Sequence, residues 1–255
     1  MPGKRRRTQV SQGPIKVRKS AGFARAPGKA SFSQRKPVTH STGNLPNKQF
    51  LDTAMSVVVP TAAASLVPSM DSACIISDGS GSSSRRGNHI KLLNVNHKGV
   101  IRLPGDVAIA ADGSTASQRV RVIMYYDNRT DSRAANTSVT LSDILAPTVS
   151  IQSFRNYDQA SRFTILHDKT YELMNMGGSY AVGEFPAALY KKVKINKVVD
   201  LPCDFTDGTT VDTSTIARGN IGMFVFLDAI TDGTVTMTYN AVTRVKFAGS
   251  GFPGN

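Results

Sequence analysis

Residues 188–199, Ala188-Leu189-Tyr190-Lys191-Lys192-Val193-Lys194-Ile195-Asn196-Lys197-Val198-Val199, decide the fold class. Val193, Ile195 and Val198 or Val199 interleave with Lys192, Lys194, Asn196 and Lys197. That is a period near two, which puts apolar side chains on one face of a strand and cations on the other. A basic outer face of this kind reads first as a solvated surface and second as a contact for nucleic acid.

Runs of the same character extend on both sides, at 53–59, 89–95, 98–103, 118–126, 162–173, 220–228 and 234–247, separated by Gly, Asp, Asn, Ser and Pro. Between them only Leu141–Leu145 reads as helix, with Thr140 or Ser138 as its cap and Pro147 to stop it. No βαβ alternation occurs, and the connections 104–117 and 174–187 exceed hairpin length, as when strands cross between two sheets. The expected fold is therefore all-β, an eight-stranded antiparallel jelly-roll sandwich. Within 162–173, Phe163, Ile165, Tyr171 and Leu173 share one parity and are expected to face inward together.

Charge divides the 255 residues differently. Of the 31 Lys and Arg, 12 fall in residues 1–50: Lys4, Arg5, Arg6, Arg7, Lys16, Arg18, Lys19, Arg25, Lys29, Arg35, Lys36 and Lys48. The first acid is Asp52, so the remaining residues carry 19 bases against all 18 acids. The domain division is thus 1–50, a basic arm, and 51–255, a nearly neutral shell domain. The arm has five Pro and five Gly and no sustained apolar period, so it cannot bury enough surface to offset its ordering entropy and is expected to be disordered when free. Positive charge and reach are all that phosphate neutralisation requires, so the 12 cations are the expected nucleic-acid contacts. Sequence readout is not implied, and Phe23, Phe32 and Phe50 are too few aromatics to suggest a platform for base stacking. Lys4-Arg5-Arg6-Arg7 also matches the loose pattern of a nuclear localisation signal. The bland alternative is a solvated tail that only aids solubility.

Chemistry is sparse. No HExxH, CxxC or GxSxG occurs, and His40, His89, His97 and His167 lack metal-ligand spacing. Gly22 to Ala30 approaches a phosphate loop but has five residues between its glycines and Ala30 where Ser or Thr must reach the metal. His167 and Asp168 are adjacent in a strand pattern, so they point to opposite faces and form no dyad. No enzyme and no cofactor are expected. The loop acids Asp204, Asp207, Asp228 and Asp232 have the chemistry for Ca²⁺ at subunit contacts, although aspartates favour turns for their own backbone hydrogen bonding. Cys74 and Cys203 are too few to staple the fold and fit a reducing compartment. No run approaches 18 apolar residues and the N-terminus is basic, so neither a membrane span nor a secretory signal is expected. On the same ground Asn128-Arg129-Thr130 and Asn136-Thr137-Ser138 are read as chance matches to the glycosylation sequon.

Four segments carry a resemblance. Arg86-Gly87-Asn88-His89-Ile90-Lys91-Leu92 looks like the "RxGxxIxL" entry to strand C, and Val120–Asn128 like the strand D "RxIxxxDN" segment. Leu141–Leu145 looks like the short helix after strand D, and Arg162–Tyr171 like the strand E "RFxILxDxT" segment. In order and spacing these resemble single jelly-roll capsid proteins, those of plant satellite viruses and of circular Rep-encoding single-stranded DNA viruses, over roughly residues 75–250. The resemblance implies sheets B-I-D-G and C-H-E-F, a homo-oligomer of 60 copies closed into an icosahedral (T=1) shell, and an arm turned towards a single-stranded viral genome. A longer arm and the Gly-Ser-rich loop 77–84 depart from that pattern.

The function expected is a viral capsid protein that self-assembles and packages single-stranded nucleic acid. DNA is favoured over RNA because a nuclear signal implies host import machinery, with the virion and the host nucleus as locations. The alternative is a cellular β-sandwich binding module with a nucleic-acid-binding tail. A histone chaperone of that type would be acidic, a lectin would need an aromatic sugar site that a Trp-free chain does not offer, and a cupin-type enzyme would need metal-spaced histidines.

Overall fold

The structure, a computed structural model, describes residues 49–103, 117–128, 139–146, 149–174, 190–206, 215–228 and 237–249. Met1–Thr42 and Gly43–Asn255 form separate units. The second contains β1 (Gln49–Val58), β2 (His89–Arg102), β3 (Ser117–Asp127), helix α1 (Leu141–Ile144), β4 (Phe163–Met174), β5 (Tyr190–Phe205), β6 (Ile216–Arg218), β7 (Asn220–Leu227) and β8 (Thr238–Gly249). The larger sheet has the order β1-β8-β2-β5-β6 and the smaller β4-β3-β7, with all strand pairs antiparallel. This is a jelly-roll sandwich.

The strand letters implied by resemblance shift by one position. Since β2 lies between β8 and β5, the segment expected to open strand C opens strand D, and the expected strands D and E are E and F. Position C belongs to residues 61–73, where no strand is expected from the sequence. Met70 exchanges backbone hydrogen bonds with Met223 of β7 (3.1 and 3.0 Å), and Ala73 donates to the Ile221 carbonyl (2.8 Å). Pro60, Pro68 and the run Ala62–Ala64 give this edge neither alternation nor β-propensity, so nothing local announces it. Among the described residues the sheets number five and three strands rather than four and four. The runs 89–95 and 98–103 are one strand, with a bulge between Leu92 and Asn94. Within it, Gly99 leaves room for the Tyr239 ring, which a Cβ would overlap.

The core between the sheets takes Leu92, Val95, Ile101, Val193, Ile195, Val245 and Phe247 from the larger sheet and Val120, Val122, Met124, Met223 and Val225 from the smaller. On the far side of the smaller sheet, Ile123, Tyr125, Phe163, Phe224 and Phe226 are covered by Leu141, Ile144 and Leu145 around α1. Both faces of β7 are thereby buried, which is why Asn220–Leu227 reads as a continuous apolar run. The expected helix is present with Thr140 as its cap: the Asp143 carboxylate accepts from the Thr140 amide (2.7 Å) and hydroxyl (2.9 Å). Pro147 and Ser138 lie outside the described residues.

The expectation that Phe163, Ile165, Tyr171 and Leu173 share a face is wrong. Leu166 is an extra residue in β4, unpaired between Ile165 opposite Tyr125 and His167 opposite Met124. This bulge reverses the parity. Phe163 and Ile165 join the cluster under α1, while Leu166, Tyr171 and Leu173 pack into the core between the sheets. Phe163 is nonetheless buried, edge-on to Tyr125 at 5.6 Å, with the Arg162 guanidinium over its ring. Phe163→Ala should cost about 3–5 kcal/mol in urea unfolding. A loss under 1 kcal/mol would mean that the α1 layer packs loosely.

His97 is fully buried, with Nδ1 2.8 Å from the Thr243 hydroxyl and Nε2 2.5 Å from the Tyr239 hydroxyl. Burial first, and the nearby His167 second, lower its pKa from 6.5 to about 4. The fold therefore keeps His97 neutral, and its contribution is intact above pH 6.5. Below that, the unfolded chain takes up a proton that the folded one refuses, so stability falls towards pH 4. Between pH 6.5 and 5 the loss should be about 2 kcal/mol. Thermal melting across that interval checks it: the transition should drop for the native chain and much less for His97→Gln.

Candidate nucleic-acid interface

All 12 arm cations lie outside the described residues. The described surface rich in positive charge is the outward face of the larger sheet, and strand register builds it row by row. Tyr190 of β5 is opposite Arg102 of β2, which is opposite Thr238 of β8 and then Val58 of β1. The next rows are Lys192, Val100, Asn240, Ser56, then Lys194, Lys98, Val242, Ala54, then Asn196, Asn96, Arg244, Asp52, and finally Val198, Asn94, Lys246, Phe50. Rows follow one another every two residues, about 6.8 Å, and strands every ~4.8 Å. Six cations are thus spread over a patch four strands wide.

Asp52 is the acid in these rows. It is committed to Arg244 through two bonds of 2.6 Å, and those bonds hold its carboxyl below the usual range. Arg244 also lies over the Phe50 ring at 4.6 Å, and Lys192 over Tyr190 at 5.9 Å. Asn94 bridges strands by donating to the Asn196 side chain (2.9 Å) and the Lys197 carbonyl (3.0 Å), and Ser56 donates to Asn240 (2.6 Å). Polar ties therefore link the strands of this face without adding acid. Lys98 and Lys194 stand directly opposite each other, an arrangement that costs a sheet stability unless a polyanion relieves it. Phe50, Val58, Tyr190, Val198 and Val242 are all exposed here among the cations.

Parity corrects one expected member of this face. Lys197 pairs with inward-facing Val95 and lies on the opposite side, where with burial it lowers the His167 pKa. Val199, not Val198, is the half-buried residue. Beyond Val198 the field ends, because Asp200 pairs with Lys91 (2.6 Å) and Asp204 with His89 (2.9 Å) beside an open depression of about 450 Å³.

Of the four acids considered for Ca²⁺, Asp204 is thus paired with His89 and Asp228 with Arg119 (3.0 Å), while Asp207 and Asp232 lie outside the described residues. Among the described residues no group of three or more His, Cys, Asp or Glu is placed to hold a metal. His167 and Asp168 do point to opposite faces: His167 stacks on Tyr171, and Asp168 receives both arms of Arg121 at 2.8 Å. Cys74 and Cys203 are buried free thiols, and the hydrogen bond between them, with burial, raises the Cys203 pKa. No described helix is long and apolar enough to cross a membrane.

Two features escaped the sequence reading. The motif residues of β3 and β4 pair crosswise, Arg121 with Asp168 and Arg162 with Asp127 (3.0 and 2.9 Å). Arg85, one residue before the Arg86–Leu92 segment, is buried. An arginine before a Gly-Asn turn was the available signal, but its neighbour Arg86, which is exposed, looks identical in sequence.

No family model matches the chain, and no curated protein matches it. Among solved structures it is similar to a chain of the Israeli acute paralysis virus full particle, at 9% identity over 91% of this chain and 83% of that one, with a TM-score of 0.29. It is also similar to a chain of the Macrobrachium rosenbergii nodavirus virus-like particle, at 11% identity over 80% and 96%, with a TM-score of 0.31. A third similarity is to Desmodium yellow mottle tymovirus, at 10% identity over 78% and 87%, with a TM-score of 0.27.

Proposed function

We propose that this chain is a viral coat protein that assembles into an icosahedral shell and packages single-stranded nucleic acid through its basic arm. The observation that carries the reading is the separation of charge from structure. Residues 1–50 hold 12 cations and no acid, whereas the sandwich that follows is neutral to within one charge. A neutral sandwich can pack against copies of itself without large repulsion, while a tethered polycation neutralises phosphate. The smallest icosahedral arrangement, 60 copies, is the proposed shell. DNA is proposed over RNA because Lys4-Arg5-Arg6-Arg7 suits nuclear import, which would place assembly in the host nucleus. The role is structural, with no catalysis and no cofactor.

Electron microscopy and nucleic-acid extraction on the purified protein test this together. Sixty copies bring roughly 720 arm cations, so uniform shells should contain a nuclease-sensitive single strand of about 1,000–2,000 nucleotides. Dispersed subunits under all conditions would favour a cellular β-sandwich module with a nucleic-acid tail, and a genome several times longer would require a larger shell.

A further inference from the structure

We propose that the outward face of the larger sheet is a second binding surface for single-stranded nucleic acid. A strand would run along β5 and β2 with its phosphates against Lys98, Arg102, Lys192 and Lys194 and a base stacked on Tyr190. The inference deepens the packaging reading and rests on it for the kind of polyanion. Its evidence is the geometry of the face. These four cations stand in three consecutive rows on two neighbouring strands, and none of the ion pairs among the described residues involves them.

An ordinary solvated sheet face intersperses both signs, since directly opposed like charges weaken the pairing. Here the acids Asp200 and Asp204 are confined to the far end of β5, beside Lys91 and His89 of β2 respectively, and the one acid in the rows is consumed by Arg244. Among the described residues, one end of the sheet thus has its acids paired and the other carries cations in no ion pair. Exposed Tyr190 at the edge of the field, and Phe50 with Arg244 over its ring at the other side, supply flat apolar surface. Cations interleaved with aromatic rings suit a single strand, which offers unpaired bases as well as phosphates. An acidic protein segment would use the charge but has no bases for the rings. No hydrogen-bonding pattern fixed for a particular base is implied, so binding should be indifferent to sequence.

The test uses the full chain as dispersed subunits and a fluorescent oligo(dT), with affinity followed against salt. Lys98→Ser, Lys192→Ser and Lys194→Ser combined should lower the slope of log affinity against log salt by about 2 from the native value, as for three lost phosphate contacts. Arg86→Ser, Arg119→Ser and Arg155→Ser, which remove equal charge elsewhere, should change it by less than half as much. Ultraviolet crosslinking should mark Tyr190 or Phe50. A slope unchanged by the first triple variant, an equal effect of the second, or crosslinks confined to residues 1–48 would overturn the surface and leave arm-mediated packaging standing. Absence of any binding by the native chain would overturn both. Displacement of oligo(dT) by poly-glutamate at equal charge, with the same dependence on the three lysines, would assign the face to an acidic protein instead.

Discussion

Removing residues 1–42 should abolish nucleic-acid packaging while leaving the sandwich folded. The truncation takes away 11 of the 12 arm cations and leaves 20 bases against 18 acids. A polyelectrolyte effect of this size is steep: six or more phosphate contacts already account for a loss of ~10³-fold or more in affinity between 50 and 200 mM salt. The expected observation is an absorbance ratio at 260 to 280 nm that falls to that of protein alone, with an unchanged circular dichroism spectrum. The cut must stop short of residue 49. β1 begins at Gln49, whose side-chain amide donates to the Gly81 carbonyl (3.2 Å), and the Phe50 amide donates to the Ser82 carbonyl (3.1 Å). A cut at residue 50 would remove both bonds and confuse lost packaging with a damaged strand. If the 1–42 truncation still co-purifies with nucleic acid, the arm is not the packaging element.

The second large effect is expected at Arg85, which holds the loop against which β1 begins. Its guanidinium donates to the carbonyls of Ile76 (3.2 Å) and Gly87 (2.7 Å) and to the Asn88 side chain (2.8 Å), and it lies over the Phe205 ring at 4.4 Å. Its own backbone closes the loop, with the Arg85 amide donating to Ser77 (2.8 Å) and its carbonyl accepting from Gly79 (3.0 Å). Arg85→Ala strips three acceptors of their donor where water is largely excluded, so the loss should be about 3–5 kcal/mol. Lys cannot span three acceptors with one ammonium, so Arg85→Lys should recover less than half. Arg86→Ala, at the exposed neighbour, should stay within about 0.5 kcal/mol. Urea midpoints rank the three variants, and hydrogen exchange should show early opening of residues 76–88 in Arg85→Ala. Equal effects at both arginines would mean that the loop is not held through Arg85. β1 opens at Gln49, so a loosened 77–88 loop would free the first residues of that strand.

How much was legible depends on the range of the interaction. The sandwich class, the helix at Leu141 with Thr140 as cap, and the split between a polycationic arm and a neutral body all follow from residues close together in the chain. Alternation, capping and charge runs are local physics, complete within a dozen residues. What the tertiary structure alone decided is everything that requires a partner strand. The Leu166 bulge reverses the faces of β4, and only pairing against β3 reveals an extra residue. Lys197 leaves the basic face because the strand's parity is set by which side meets the core. Arg121 finds Asp168, and Arg162 finds Asp127, across β3 and β4. Lys192 and Lys194, two of the lysines that first suggested a strand, become part of a six-cation field only when β2 and β8 lie beside β5. Lys98, Lys194 and Arg244 are far apart in the chain, and loop closure and long-range pairing, which no local pattern encodes, bring them within ~12 Å.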